Sequence, residues 1–308
     1  MRAIVQTKFG GPEVLRLTEV ERPTPSSGEV LVRVKAAAVN PVDVAVRAGL
    51  LPLLGEPPFT VGWDISGVVE EVGPGARYRV GEEVYGMPFF PRAAGGYAEY
   101  VTSPSRQLAR KPATLDHVQA AALPLAVLTA WQGLVDLARV GEGQRVLIHR
   151  AAGGVGHLAV QIAKLRGAYV IALASEPKHA FLKELGADEL IDYRTTDYTQ
   201  AVEDVDVVFD SSSEGTRALE VLKPGGTLVS IMEHGNRELA AAIEAAGRRF
   251  AGVSVEPDYA SLETIATLVD EGLIRPHVAE TFPLAEAGRA HELVGSGTVQ
   301  GKVVLTVD

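Results

Sequence analysis

Between Gln144 and Ala174 the chain reads QRVLIHRAAGGVGHLAVQIAKLRGAYVIALA, with small residues where the binding of a phosphate requires them. The run Arg145-Val146-Leu147-Ile148 stops at the turn Ala151-Ala152-Gly153-Gly154-Val155-Gly156, an amphipathic segment follows, and a second apolar run spans Ala168 to Ala174. Strand, turn, helix and strand in that order put unpaired backbone N–H groups and the positive end of a helix dipole at the turn, a setting for a pyrophosphate. The turn fits a dinucleotide-binding fingerprint with Ala151 in place of the first glycine. Gly153 lets backbone approach the anion, and Gly156 lets the helix pack closely on the strand. Ala152, Gly153, Gly154 and Val155 are the expected contacts. In such units an acidic residue near the end of the second strand hydrogen-bonds the ribose 2′-hydroxyl of NAD. Here that strand ends Ala172-Leu173-Ala174-Ser175, and Lys178 follows. A hydroxyl and a lysine suit a 2′-phosphate, so the expected cofactor is NADP(H), with Glu176 as an opposing charge in the same turn.

The rest of the composition narrows the class. A chain of 308 residues, 46% hydrophobic, is long enough for two cores. Its 29 basic and 39 acidic residues give a net charge of −10 without a long basic run, which argues against a nucleic-acid partner. Cysteine is absent, so no disulfide, catalytic thiol or thiolate zinc site can form. No secretory signal is visible at Met1–Lys8, and the most apolar segment, Ala120 to Trp131, is broken by Pro124 and too short to span a bilayer. The expectation is a cytoplasmic protein, not membrane-bound, acting on a small molecule.

Around the glycine turn two textures alternate. Residues 1 to about 115 hold short β-branched runs such as Val30-Leu31-Val32-Arg33-Val34 between Pro and Gly turns, the pattern of an irregular β domain. A helix-like stretch over Asp116–Leu137 follows, and then strand and helix patterns alternate as far as Thr227–Ile231, including a helix over Thr216–Leu222. That alternation predicts a doubly wound parallel sheet of the α/β class. The tail, with a helix near Leu262–Glu271 and a final strand Lys302–Val307, returns to the first texture. The expected domains are therefore a β-rich one over 1–121, completed by 263–308, and a nucleotide-binding one over 122–262.

This order, together with several local motifs, resembles the medium-chain dehydrogenase/reductase superfamily over essentially the whole chain. Segments similar to its zinc-free quinone oxidoreductase branch are Gly10-Gly11-Pro12-Glu13-Val14-Leu15, Asn40-Pro41-Val42-Asp43 with Arg47 and Gly49, Gly62-Trp63-Asp64 with Gly67, Gly96-Tyr97-Ala98-Glu99-Tyr100, and Gly301-Lys302-Val303-Val304-Leu305. The resemblance implies a GroES-like catalytic domain interrupted by a Rossmann domain, an active site in the cleft between them, and a homodimer. It also implies that Asn40 and Thr129 lie near the nicotinamide, that Tyr193 supports the adenosine 2′-phosphate, and that Ser211 and the loop after Ser230 border the cofactor. The zinc alcohol dehydrogenases of the superfamily use cysteine ligands that this chain lacks. Its seven histidines are scattered without a close ligand pair, and most are expected at the surface or in packing. No metal site is expected.

Without a Lewis acid, the feasible reaction is hydride transfer from NADPH to an electron-poor acceptor, a quinone or a C=C conjugated to a carbonyl. Asn40 can donate to the developing oxyanion, place the nicotinamide, or serve only as a turn residue before Pro41. Asp43 can orient its neighbours or cap a helix through Arg47. Trp63 can wall the site, and Tyr97 can supply a proton, a stacking surface or core packing. Characterised bacterial quinone oxidoreductases carry a tyrosine where this chain has Ala45, which points to a wider pocket for an enone or enoyl intermediate of secondary metabolism. A cofactor-binding protein without turnover is the alternative from another class.

Overall fold

The computed structural model describes the whole chain, Met1 to Asp308. It divides into one compact unit of Met1–Leu128 and Glu256–Asp308 and a second of Thr129–Val255. In the first, β1 (Arg2–Val5) pairs antiparallel with β2 (Arg16–Glu19). The long strand β3 (Glu29–Val39) is mostly buried, paired with three other strands and packed by a helix, with Arg33 exposed. Its last residue leads into Asn40, the N-cap of α1 (Pro41–Ala48), where Pro41 supplies a preset helical φ and Gly49, at φ 81°, ends the helix. The strands β4 (Asp64–Val72), β5 (Glu83–Gly86), β6 (Tyr100–Pro104) and β7 (Leu108–Arg110) follow. Next, α2 (His117–Ala121) lays Ala121 and Ala122 against Ala36, Ala38 and Val304, small residues that let helix and sheet approach closely. The boundary between units falls inside α3 (Pro124–Trp131), which runs into a π-helical turn, Gln132–Leu137.

The second unit comprises β8 (Arg145–Ile148), α4 (Gly156–Leu165), β9 (Tyr169–Leu173), α5 (His179–Glu184), β10 (Glu189–Ile191), α6 (Tyr198–Ala201), β11 (Val205–Asp210), β12 (Leu222–Ser230), α7 (Arg237–Ala245) and β13 (Arg249–Gly252). The sheet order is β10-β9-β8-β11-β12-β13, with every pair parallel. Its apolar runs are buried on both faces, as a parallel sheet requires. From β8 the chain winds outward in one direction to β10 and then crosses back to β11. The strand order therefore reverses beside the C-terminal end of β8, the place where open α/β sheets bind ligands. This is a Rossmann fold, as expected. The helix expected over Thr216–Leu222 is only a 3-10 turn, Arg217–Glu220, because strand β12 already begins at Leu222.

The chain then returns to the first unit with α8 (Tyr259–Asp270), β14 (Val278–Pro283), α9 (Ala287–Gly295) and β15 (Lys302–Thr306). These complete a seven-stranded sheet of order β14-β15-β3-β4-β5-β7, with β6 also on β3. A domain limit at 262/263 would divide α8. Both its ends are tied to the first unit, since Tyr85 donates to the Leu262 carbonyl at 2.6 Å and Asp270 accepts from the Thr114 N–H at 2.9 Å. No helix is long and apolar enough to cross a membrane.

Candidate active site

The glycine turn grows directly out of β8. Ala151 N–H bonds to the Leu173 carbonyl at 3.0 Å and Gly153 N–H to the Arg150 carbonyl at 2.8 Å, which fixes the turn against β9 and upon itself. His157, buried at the start of α4, adds a bond from its Nδ1 to the Gly153 carbonyl at 2.9 Å. With those groups engaged, the N–H groups of Gly154 and Val155 make no backbone bond and lead into the positive end of the ten-residue helix α4. A Cβ on Gly153 would meet only the Arg150 carbonyl oxygen, at 3.2 Å, so the space outside it is open to an approaching anion. The turn thus fits the diphosphate of a dinucleotide. Ser211 donates to the His149 carbonyl at 3.1 Å, and Ser230, opposite Asp210 in the β11–β12 register, accepts from Glu233 N–H at 3.2 Å. Both serines lie at the strand ends on the side of the turn.

Three neighbouring strand ends carry positive charge. Ile148 pairs with Ala172 and Leu173 with Ile191, so Arg150, the Ser175–Lys178 turn and the Tyr193-Arg194 pair follow β8, β9 and β10 at one edge. Lys178 is held below its ordinary pKa first by partial burial and then by the charges of Arg150 and Arg194. Three cations thus follow these strand ends, alongside the carboxylates of Glu176 and Asp192. Ser175 is buried, and Tyr193 is exposed with the Arg194 guanidinium 5.9 Å from its ring centre. Arg150 adopts φ 49°, a left-handed conformation uncommon for arginine and frequent at functional turns. Neither Arg150 nor Arg194 is among the contacts expected from sequence, although each adjoins a residue that is. The signal was their basic character at adjoining strand ends. Thr129 is buried on α3 in this unit.

The first unit holds a buried polar network. Asn40 accepts at Oδ1 from the Lys302 ammonium and donates from Nδ2 to Asp64 Oδ2 at 2.9 Å. Asp64 Oδ2 also meets Lys302 at 3.3 Å, and its Oδ1 accepts from Leu125 N–H at 2.7 Å. Asp43 closes a capping box by accepting the Asn40 N–H at 2.7 Å, and it also accepts the Tyr97 hydroxyl at 3.1 Å. Asp43 therefore caps the helix through Asn40. The expected link to Arg47 does not form, because the Asp43 carboxylate is turned toward Tyr97, while Nε and Nη1 of Arg47 have no partner. Tyr97 in turn meets His291 Nε2 at 3.2 Å. Gly62, at φ 99°, makes this possible, since a Cβ there would overlap the Tyr97 ring.

Burial sets the protonation of this network. It pushes Asp43 up to about 7 against the pull of the Asn40 N–H, with Asp64 raising it further. Asp64 is raised by burial despite Lys302 and Asn40, and Tyr97 well above its ordinary value by burial and by Asp43. His291 falls to about 3 through burial and the nearby Arg47, so it is neutral and its Nε2–H can donate to the Tyr97 oxygen. Tyr97 is buried between Asp43 and His291, and Trp63, also buried, donates from its indole to the Arg92 carbonyl at 2.7 Å. Three of the seven histidines, His149 (on Asp210 at 2.9 Å), His157 and His291, are buried with defined partners.

A pH effect follows. An unfolded Asp43 titrates near 3.8 and the folded one near 7, so between those values the native state holds a proton that the unfolded chain has lost. Stability contributed by this group is present below the unfolded value, falls as pH rises through the window, and levels off above the folded value. Asp43→Asn should remove that part of the slope, on the order of a few kcal/mol, in urea unfolding compared at pH 5 and pH 8. An unchanged slope would place the titration elsewhere.

No three His, Cys, Asp or Glu side chains come together in a way that could hold a metal ion, so the donor set does not fit a zinc site. Comparisons with known proteins point the same way as the folds. Residues 26–113 match the alcohol dehydrogenase GroES-like domain and residues 185–305 the zinc-binding dehydrogenase model. The quinone oxidoreductase of Rattus norvegicus is 32% identical, covering 99% of this chain and 97% of its own. The chloroplastic NADPH-dependent alkenal/one oxidoreductase of Arabidopsis thaliana is 35% identical over 99% of this chain and 79% of its own. The solved quinone oxidoreductase from Coxiella burnetii superposes with a TM-score of 0.95 at 37% identity, covering 100% of this chain and 99% of that one. A GroES-like unit interrupted by a Rossmann unit, with relatives of this identity along the full length, places the chain in the medium-chain dehydrogenase/reductase superfamily, within its quinone oxidoreductase-like branch.

Proposed function

We propose that this protein is an NADPH-dependent, zinc-independent reductase of quinones or α,β-unsaturated carbonyls. The observation that carries the cofactor is the group of Arg150, Lys178 and Arg194 around Ser175, with no acidic residue ending β9. Gly154 and Val155 would hold the diphosphate, and Lys178, Tyr193 and the two arginines the 2′-phosphate. The bound dinucleotide would supply a hydride. Asn40 would donate to the carbonyl oxygen on which negative charge develops, while the buried residues behind it hold the amide in place. The reduced acceptor takes its proton from solvent, since Tyr97 and Asp43 are committed to each other. Ala45 in place of a tyrosine favours enones alongside quinones. Relatives of both kinds, the quinone oxidoreductase and the alkenal/one oxidoreductase, support the two substrate classes equally.

The test is NADPH oxidation with 1,4-benzoquinone, a naphthoquinone, an alkenal and an enoyl thioester, repeated with NADH. Turnover of at least one acceptor with NADPH favoured is expected. Cofactor binding without turnover of any acceptor would instead make this a binding protein, and stoichiometric zinc by elemental analysis would overturn the metal-free reading. The β13 strand is an edge of the Rossmann sheet, with backbone groups available to a second copy. We propose a cytoplasmic homodimer formed there, and light scattering in solution should give twice the chain mass.

A further inference from the structure

We propose that Lys302, together with Asp64, is the positioning residue that fixes the Asn40 side chain as a hydrogen-bond donor. The inference rests on the reading of Asn40 as the group that meets the substrate oxygen. The three residues come from neighbouring strands: Val303 pairs with Val39 and Ala38 with Asp64, so the start of β15, the end of β3 and the start of β4 converge. All three side chains are buried.

The chemistry leaves one orientation for the amide. An ammonium has only donors, so it must face the Asn40 carbonyl oxygen, and the Asp64 carboxyl, whose two oxygens already accept from Leu125 N–H and Lys302, faces the NH₂ as an acceptor. Turning the amide over would set NH₂ against NH₃⁺ and oxygen against carboxylate. Oδ1 is therefore committed to Lys302 and one Nδ2 hydrogen to Asp64, whose other oxygen is held by Leu125 N–H. The second Nδ2 hydrogen is all that Asn40 can offer, and it serves an oxygen only. The cation at Oδ1 also draws electron density through the amide and makes that remaining N–H a stronger donor. A carbonyl oxygen gaining negative charge is thus favoured over any donor group of a ligand.

The test uses the full-length protein, NADPH and the best acceptor from the screen. Lys302→Met is expected to lower kcat roughly 10–100-fold, because it weakens an oxyanion donor without deleting it. NADPH binding, read by fluorescence titration, should change by less than about threefold, since the anion contacts lie on the other unit. Lys302→Arg, which keeps the charge, should recover most of the activity. In an Asn40→Ala background Lys302→Met should cost little more, because the two act as one unit. In the ligand-free protein the Asn40 side-chain amide protons, assigned by their loss in Asn40→Ala, should move upfield in Lys302→Met NMR spectra. If Lys302→Met leaves Asp64 too costly to bury and does not fold, the Lys302→Met/Asp64→Asn pair removes both charges and should show the same loss. Full kcat in a folded Lys302 variant lacking the charge would overturn the proposal, as would an equal loss with and without Asn40. Full kcat in Asn40→Ala would instead overturn the role of Asn40 on which it rests.

Discussion

Gly156→Ala is expected to raise the dissociation constant for NADPH at least ~100-fold and to lower the melting temperature by several degrees. The added methyl would stand 2.7 Å from Ala151 Cα and closer still to the Arg150 carbonyl oxygen. Neither obstacle is the free end of a side chain. Ala151 is tied to Leu173 on β9, and the Arg150 carbonyl holds Gly153 N–H, so helix and turn cannot both keep their places. Overpacking of this kind costs about 1–3 kcal/mol, and the displacement falls on the N–H groups of Gly154 and Val155. Gly153→Ala is the control. Its methyl meets one atom at 3.2 Å, so the fold should survive while the anion's approach is narrowed, giving a loss of about tenfold in affinity without a large change in melting temperature. Titration of intrinsic fluorescence with NADPH, beside a thermal melt, separates the two. A Gly156→Ala protein that binds as tightly as the parent would remove the turn from the cofactor site.

The contrast between those glycines shows what was legible in the sequence. Gly156 and the strand, turn and helix around it form a local unit, so their spacing alone predicts both the fold and the close approach. The same holds for Ser175 and Lys178, a few residues beyond the next strand. Lys302 is different. Its partner Asn40 lies 262 residues away, and nothing in the run Gly301-Lys302-Val303 announces that an antiparallel β15 will set the ammonium beside it. His291 was invisible for the same reason, since its meeting with Tyr97 depends on α9 folding back onto the segment just before β6, 194 residues earlier in the chain. Arg47 misled in the opposite sense. A spacing of four from Asp43 suits a helix ion pair, but the aspartate sits in the first turn of α1, where the capping bond to Asn40 N–H claims it. Tertiary hydrogen bonds overrode the local rule.

The 2′-phosphate offers the largest change in specificity. A phosphate carrying nearly two negative charges gains from each cation it meets, and a charge-assisted hydrogen bond contributes about 1.5–3 kcal/mol. Lys178→Gln alone should therefore weaken NADPH binding roughly 10–100-fold while leaving NADH within about twofold, because NADH has no group at that place. Arg150→Gln should add a second loss of about tenfold. Arg150 and Lys178 already repel one another in the ligand-free protein, and partial burial adds to the cost of keeping Lys178 charged. The first anion to arrive relieves both, so the two losses should fall short of additive. The double variant is expected to prefer NADH, read from kcat/KM for each dinucleotide at fixed acceptor. Salt gives an independent check: NADPH affinity of the parent should fall steeply with ionic strength, and that of the double variant should not. Equal losses for NADPH and NADH would mean that these residues hold up the fold of the strand ends and do not read the phosphate.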